Sequence, residues 1–398
     1  MAELCDTPRV SGRSPGGRAV GEFATSGEFL TLSSRVRLGR LVYARGVTIH
    51  RQVIGRSENG SEVARFTLEC RGGASVQILN HGGTVTSLAV PDRAGRLGDV
   101  VLGFDDVDSY ARADGYLGAL IGRYGNRIAG ARFFLDGVEH RLFANEGTNH
   151  LHGGGTGFDK VLWTATPYAT AEGPALALEH VSPHGDEGYP GNLHVSVVYT
   201  LEHDNALRID YTATTDRDTI VNLTSHAYWN LAGHGVGTIL DHQLVIDAER
   251  FAAVGAGRIP TGELRAVAGT PFDFRRAVAI GERIDADDEQ IRIGGGYDHS
   301  FAITGADGSL RRAARVVEPT TGRALEVFTT EPAVQFYSGN LLDVMHGKGG
   351  ARYRPRTGFC LETQHHPDSP NQPGFPSTTL RAGARYSTTT IYRFSRTD

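Results

Sequence analysis

Cysteine is almost missing from this 398-residue chain: Cys5, Cys70 and Cys360 stand far apart. An odd, scattered set makes no disulfide framework and offers no Cys-x-x-Cys metal spacing, so a reducing cytoplasm is the expected compartment. Long apolar runs are missing as well. No stretch approaches the about 18 residues of a membrane span, and the opening "MAELCDTPRVSGRSPGG" has no apolar segment of the kind a secretory leader carries. There is no surplus of basic charge: 40 Lys and Arg stand against 45 Asp and Glu, a net charge of -5. The arginines are scattered and do not alternate with aromatics in a stripe, which argues against a nucleic-acid partner. Nucleotide and hydrolase signatures are absent too. There is no G-x-S-x-G, no H-E-x-x-H and no P-loop; "HGKGG" has the lysine without the glycine spacing or the following Ser/Thr, and "GHGVG" lacks its third glycine.

What is present is a soluble globular composition, 39% hydrophobic and 21% charged, with 52 glycines. Residues 1–47 are small, polar and arginine-rich, and read as a flexible N-terminal extension. From residue 48 to 398 short runs of period-2 alternation recur. In "NLHVSVVYTLE" Leu193, Val195, Val197, Tyr199 and Leu201 fall on one side, and His194, Ser196, Thr200 and Glu202 mark the polar side. Residues 75–79, 207–215, 242–248, 324–330 and 388–394 follow the same rule. Glycines punctuate the intervals, at 153–155, 233–237 and 294–296, where turns need positive φ. Only 105–113 and 281–291 read as helical. No linker or fixed-period repeat breaks the pattern, so the expectation is one all-β domain over 48–398, a large antiparallel sandwich.

Polar clusters interrupt these runs. They are Arg123, Asn126 and Arg127 in "IGRYGNRIAG"; His150 and His152 in "NEGTNHLHGG"; His226, with Tyr228 and Trp229, in "NLTSHAYWNLAG"; Asp298 and His299 in "GGGYDHSF"; Gln335 in "EPAVQFYSGN"; and Glu362 in "FCLETQHHPDSP". Strand alternation puts Phe359 and Leu361 on one face and Cys360 and Glu362 on the other. Glu362 alone could be a solvated surface acid, an ion-pair partner or a base facing a pocket. His150 and His152 share a strand face by spacing, and Asp159 or Glu362 could complete a metal set, but two histidines among glycines are weak evidence for metal. Taken jointly, Arg, Asn, Asp, Gln, His, Trp and Tyr suit a neutral hydroxyl-rich ligand. A carboxylate and imidazoles without a nucleotide motif suit proton transfer.

The stretches "NHLHGGGTGFDKVLW", "GDEGYPGNL", "VNLTSHAYWNLAG", "GGGYDHSF", "AVQFYSGN" and "FCLETQHHPDSPNQPGFP" together resemble the aldose 1-epimerase (galactose mutarotase) family, from about residue 50 to about 396. The resemblance implies a galactose mutarotase-like β-supersandwich with an open cleft for a free aldohexose, and no cofactor or metal. It implies that Glu362 is the base at the anomeric hydroxyl, that His226 is the acid at the ring oxygen, and that His152 polarises that oxygen. Asn126, Arg127, Asp298 and Gln335 match sugar-contacting positions. No obligate protein partner is expected. The tandem His365-His366 departs from the family pattern and is expected at the cleft rim. An enzyme for hexose phosphates would need extra cations at the cleft, for which Arg123, Arg132 and Arg141 are the candidates; a non-catalytic sugar-binding module would use the same contacts without the acid/base pair.

Overall fold

Leu193, Val195, Val197, Tyr199 and Leu201 are indeed the buried side of a strand, Leu193–Leu201, whose other side carries exposed His194 and half-buried Ser196 and Val198. The computed structural model describes residues 38–43, 47–57, 59–113 and 115–397, and every pairing between its strands is antiparallel. A six-stranded meander takes its strands in chain order from Leu38–Tyr43 to Leu97–Asp99. A nine-stranded sheet begins with Thr164–Ala169, Pro174–Ser182, Leu193–Leu201 and Ala206–Thr215, then inserts the C-terminal strand Arg385–Arg396 before Arg323–Thr329 and Arg311–Val317. A five-stranded sheet runs Pro260–Ala266, Ala248–Val254, Asp298–Ile303, Ala333–Tyr337, Cys360–Gln364.

The three sheets share one apolar core. Phe66 and Leu88 of the first, Tyr199, Ile209, Leu325 and Tyr392 of the second, and Phe251, Phe301, Phe336 and Leu361 of the third belong to a single buried cluster. Each such side chain contributes roughly 1.5–3 kcal/mol on leaving water. This is the all-β sandwich that the alternation leads one to expect.

Two details differ from the expectation. The run 242–248 is not one strand: Gln243–Ile246 belongs to the nine-stranded sheet and Ala248–Val254 to the five-stranded one. Asp247 makes the crossing. Its N–H donates to Ala313 O, its carbonyl accepts from Thr304, and its carboxylate takes two N–H groups of Arg312. The helix expected over 281–291 begins only at Glu289, because Asp288 caps it by accepting from the N–H groups of Gln290 and Ile291. The helix expected over 105–113 forms as Val107–Arg112, capped by Asp106. The extension expected over 1–47 lies mostly outside the described residues; where it overlaps them, Leu38–Tyr43 is a strand paired with Val47–Arg56.

Buried imidazoles make the fold acid-sensitive. His150, His242, His299 and His366 are buried, and burial lowers their pKa values to about 4, 4, 3 and 4. In the unfolded chain imidazoles bind protons near pH 6.5. Between there and about pH 4 the unfolded state therefore holds more protons, and stability falls as pH is lowered, by up to about 1.4 kcal/mol per pH unit for each histidine. Asp159, which burial pushes up to about 6, and Glu362 and Glu202, which burial also raises, oppose this with the reverse sign, but they are outnumbered by the imidazoles that burial lowers, His152 and His226 included. The urea midpoint should drop clearly between pH 7.5 and pH 5; a midpoint that stays flat over that interval would show that these histidines are not buried neutral.

Candidate active site

Glu362 is only 2% exposed, so the surface reading of this acid does not hold. Its strand, Cys360–Gln364, pairs with Ala333–Tyr337, which pairs with Asp298–Ile303. Glu362 stands opposite Gln335, and Asp298 opposite Tyr337. Directly opposed residues share a face, so Glu362, Gln335, Tyr337 and Asp298 all project from the side away from Phe336 and Leu361. Glu362, Tyr337 and Asp298 face a cleft of about 700 Å³, which Asn126, Arg127, His152 and His226 also line.

Asn126, His152 and His226 arrive on loops held by backbone pairing, and Arg127 on the two-residue strand Arg127–Ile128. His226 follows the short strand Thr224–Ser225, and its N–H donates to Ala119 O. Asn126 and His152 both have left-handed backbones, φ 66° and 51°, and clasp each other. The N–H of Asn126 donates to Nδ1 of His152 at 3.1 Å, and the N–H of His152 to the carbonyl of Asn126 at 3.1 Å. Gly153 is obligatory here: its φ is +90°, and a Cβ would lie 1.8 Å from the carbonyl oxygen of Gly122. What Gly153 admits is thus neighbouring backbone, while Gly154 makes room for the Glu187 side chain.

Across the cleft, Nε2 of His226 stands 3.8 Å from Oε1 of Glu362. Among the described residues Oε2 of Glu362, itself buried, has no hydrogen-bond partner. Burial, reinforced by the charge of Asp298 and restrained by Arg127, raises the Glu362 pKa well above the usual carboxylate value. Burial also lowers the His226 pKa to about 4. The two shifts favour the neutral form of each group, with the pair's one proton on the carboxyl and the imidazole without one, and a pair this close titrates as a unit.

A charge-balanced group closes one end. Arg127 donates to both oxygens of Glu146, at 2.7 and 2.8 Å. Arg258 reaches Glu146 at 3.4 Å, and both arginines stand 3.9 Å from Oδ2 of Asp298. Gln335 does not line the cleft; its Nε2 donates to Oδ1 of Asp298 at 2.7 Å and so orients that acid. Tyr116, Tyr228 and Tyr337 supply the aromatic wall. Trp229 does not, being 1% exposed in the core beside Tyr392 and Phe394.

Other expected placements change. His150 and His152 share no face, because the strand is only His150–Leu151 and His152 has left the extended conformation. His150 instead bonds the carbonyl of Phe143 and the hydroxyl of Tyr189. His365 and His366 are not at the cleft rim: His365 pairs with Glu331 and His366 with Ser300. His299 packs against Phe251 and Phe272. Sequence reasoning missed Tyr116, Glu146 and Arg258 as cleft residues. Glu146 lies in a stretch already notable for its histidines, but Arg258, in "GAGRIP", carries no pattern; its only mark is a left-handed φ of 59°.

His152, His226 and Glu362 bring potential ligand atoms within 4.8 Å of one another. The tautomer of His152 opposes a metal there. Its Nδ1 accepts a backbone N–H, so the neutral ring carries its proton on Nε2, whereas a metal-binding imidazole donates from one nitrogen and offers the other's lone pair. Burial holds His152 neutral by lowering its pKa well below the ordinary value. The ring is therefore a fixed N–H donor.

An antiparallel sandwich with a buried carboxylate and imidazole across an open polar cleft defines a protein built for proton transfer on a hydroxyl-rich small molecule. A family model described as aldose 1-epimerase matches residues 64–393. The chain is 46% identical over 351 residues to the galactose mutarotase of Bos taurus, covering 88% of this chain and 99% of that protein. It is 39% identical to the aldose 1-epimerase of Escherichia coli (strain K12), covering 84% and 96%. The crystal structure of galactose 1-epimerase from Lactobacillus acidophilus NCFM superposes with a TM-score of 0.78 at 28% identity, covering 89% of this chain and all of that one. The chain belongs to the aldose 1-epimerase family.

Gly153→Ala should destabilise the fold by more than about 2 kcal/mol and lower activity with it, since the Asn126–His152 clasp would have to open. Parental denaturation and parental turnover in this variant would show that the backbone contact is dispensable.

Proposed function

We propose that the protein interconverts the α and β anomers of free aldohexoses, galactose and glucose among them, without a cofactor. The observation that carries this is the 3.8 Å approach of His226 Nε2 to Glu362 Oε1 in a dry corner of the cleft. The relatives named galactose mutarotase and aldose 1-epimerase support it.

The reaction starts from the tautomer with Glu362 as carboxylate and His226 as imidazolium. Glu362 takes the proton of the C1 hydroxyl while His226 gives one to the ring oxygen. The C1–O5 bond breaks and the C1–O1 bond becomes the aldehyde carbonyl. After rotation about C1–C2, the O5 hydroxyl adds to the other face; its proton returns to His226, and Glu362 returns its own to O1. Protons and charges balance, and the pair ends as it began. The neutral Nε2–H of His152 hydrogen-bonds the ring oxygen, polarising the C1–O5 bond and stabilising the charge that develops on O5 as that bond breaks. Asn126, Arg127 and Asp298 bind the remaining hydroxyls, with Gln335 orienting Asp298.

The cleft is poorly suited to a phosphate. Arg123 is spent on Ser182, Pro183 and Pro190, and neither Arg132 nor Arg141 lines the cleft. Arg127 and Arg258 face Glu146 and Asp298. A free aldose is therefore the preferred substrate. Among the described residues no helix is long and apolar enough to cross a membrane. The buried free thiols of Cys70 and Cys360 are compatible with the cytoplasmic location we assign. We further take residues 48–398 as one catalytic domain that acts without an obligate protein partner.

Polarimetry of freshly dissolved α-D-galactose and α-D-glucose tests the proposal. The protein should speed the approach to anomeric equilibrium, with or without a chelator, and Glu362→Gln should slow it by about 10²–10⁴-fold while sugar still binds. No acceleration by the parent with intact sugar binding would make the protein a binding module. The rate should also be bell-shaped in pH. It falls on the acid side near pH 4 as His226 takes a second proton, and on the alkaline side, well above the ordinary carboxylate range, as the pair loses its one proton. An alkaline limb at an ordinary carboxylate pKa would refute the shared-proton pair.

A further inference from the structure

One polar neighbour of His226 has no part in these proton transfers. Cys360 is fully buried, shares the strand face of Glu362, and places Sγ 3.5 Å from Nδ1 of His226. Among the described residues it is the side chain bonded to that nitrogen. The remaining surroundings of the ring are Glu362 at Nε2, and the rings of Tyr116, Tyr228 and His152 at 5.8, 5.0 and 5.1 Å. These and the thiol are the titratable groups that face the imidazole; Arg127 and Asp298 act on Glu362 behind it.

The two cleft histidines thus differ at Nδ1. That of His152 faces a backbone donor, which fixes a neutral Nε2–H ring. That of His226 faces a thiol, a weak donor and a weak acceptor. An acid that gives its proton from Nε2 and takes it back must keep the other proton on Nδ1 throughout, or it would pass through an imidazolate. A carboxylate at that position would hold the imidazolium too firmly. An aliphatic side chain would leave Nδ1–H unpaired in a dry site.

We propose that Cys360 is a positioning residue for the reaction, its sulfur accepting the Nδ1–H of His226 so that Nε2 is the nitrogen that gives and regains the proton. The inference rests on the mutarotase reading for its kinetic consequence, and on geometry alone for its tautomer. Removing the sulfur withdraws support from the imidazolium. The reactive tautomer becomes scarcer, and the second protonation of the pair requires a lower pH.

The test compares the parent with Cys360→Ala and Cys360→Ser. The alanine variant should lose about tenfold in kcat, a fraction of what a general acid supplies, with KM unchanged and the acid limb of the pH profile moved down. Serine, which restores a donor and acceptor, should recover most of kcat. Nitrogen-15 NMR should find the neutral His226 ring protonated on Nδ1 in the parent and a tautomer mixture in the alanine variant. If both variants keep the parental kcat and acid limb, or if the parent ring carries its proton on Nε2, Cys360 only fills space. A parent that does not accelerate mutarotation would overturn the functional reading instead, and the NMR tautomer would still decide the role of the thiol.

Discussion

The site depends on keeping one carboxylate out of water. Glu362, 2% exposed and opposite His226, would by itself be expensive to bury as an anion. In the mechanism proposed above that cost is met by sharing: the imidazole nearby holds the proton when the carboxylate is ionised, so the pair changes little in net charge across the reaction. Arg127 sits close enough to lower the Glu362 pKa and Asp298 close enough to raise it. No direct ion pair with Arg127 locks the carboxylate as an anion, and the net effect of burial and Asp298 holds its pKa well above the ordinary carboxylate value.

The same balance explains the charged end of the cleft. Arg127 and Arg258 would make an anion site if they stood free, but Glu146 and Asp298 occupy them. What remains for a ligand is a set of oriented donors and acceptors with little net charge, which suits a neutral polyol better than a phosphate. Gln335 serves this end indirectly, from behind Asp298.

None of this geometry is local. Glu362, Gln335 and Asp298 come together because three strands pair in one register, and a slip of one residue would turn all of them into the core. The clasp between Asn126 and His152 needs left-handed backbones at both, and a glycine next in line where Gly122 passes. The C-terminal strand Arg385–Arg396 enters the middle of the nine-stranded sheet, between Ala206–Thr215 and Arg323–Thr329. Chain segments far apart in sequence must therefore be in place before the sheet is complete.

The sequence by itself determined the class of fold, because alternation at period 2 reports a buried and an open face whatever the partners are: Leu193–Leu201 and Ser75–Leu79 form where the pattern places them. The motifs likewise sufficed for the family, and alternation put Cys360 and Glu362 on one face. Where partners lie far off in the chain, the pattern was silent or misleading. Asp247 divides one alternating run between two sheets, and His150, two residues from His152, turns to Tyr189. Arg258 has no motif, and Trp229, an apparent sugar platform, is core. Only the tertiary structure decided the direction in which burial shifts each member of the pair, since desolvation depends on what surrounds a group in space, and no spacing along the chain records that His226 and Glu362 leave water together.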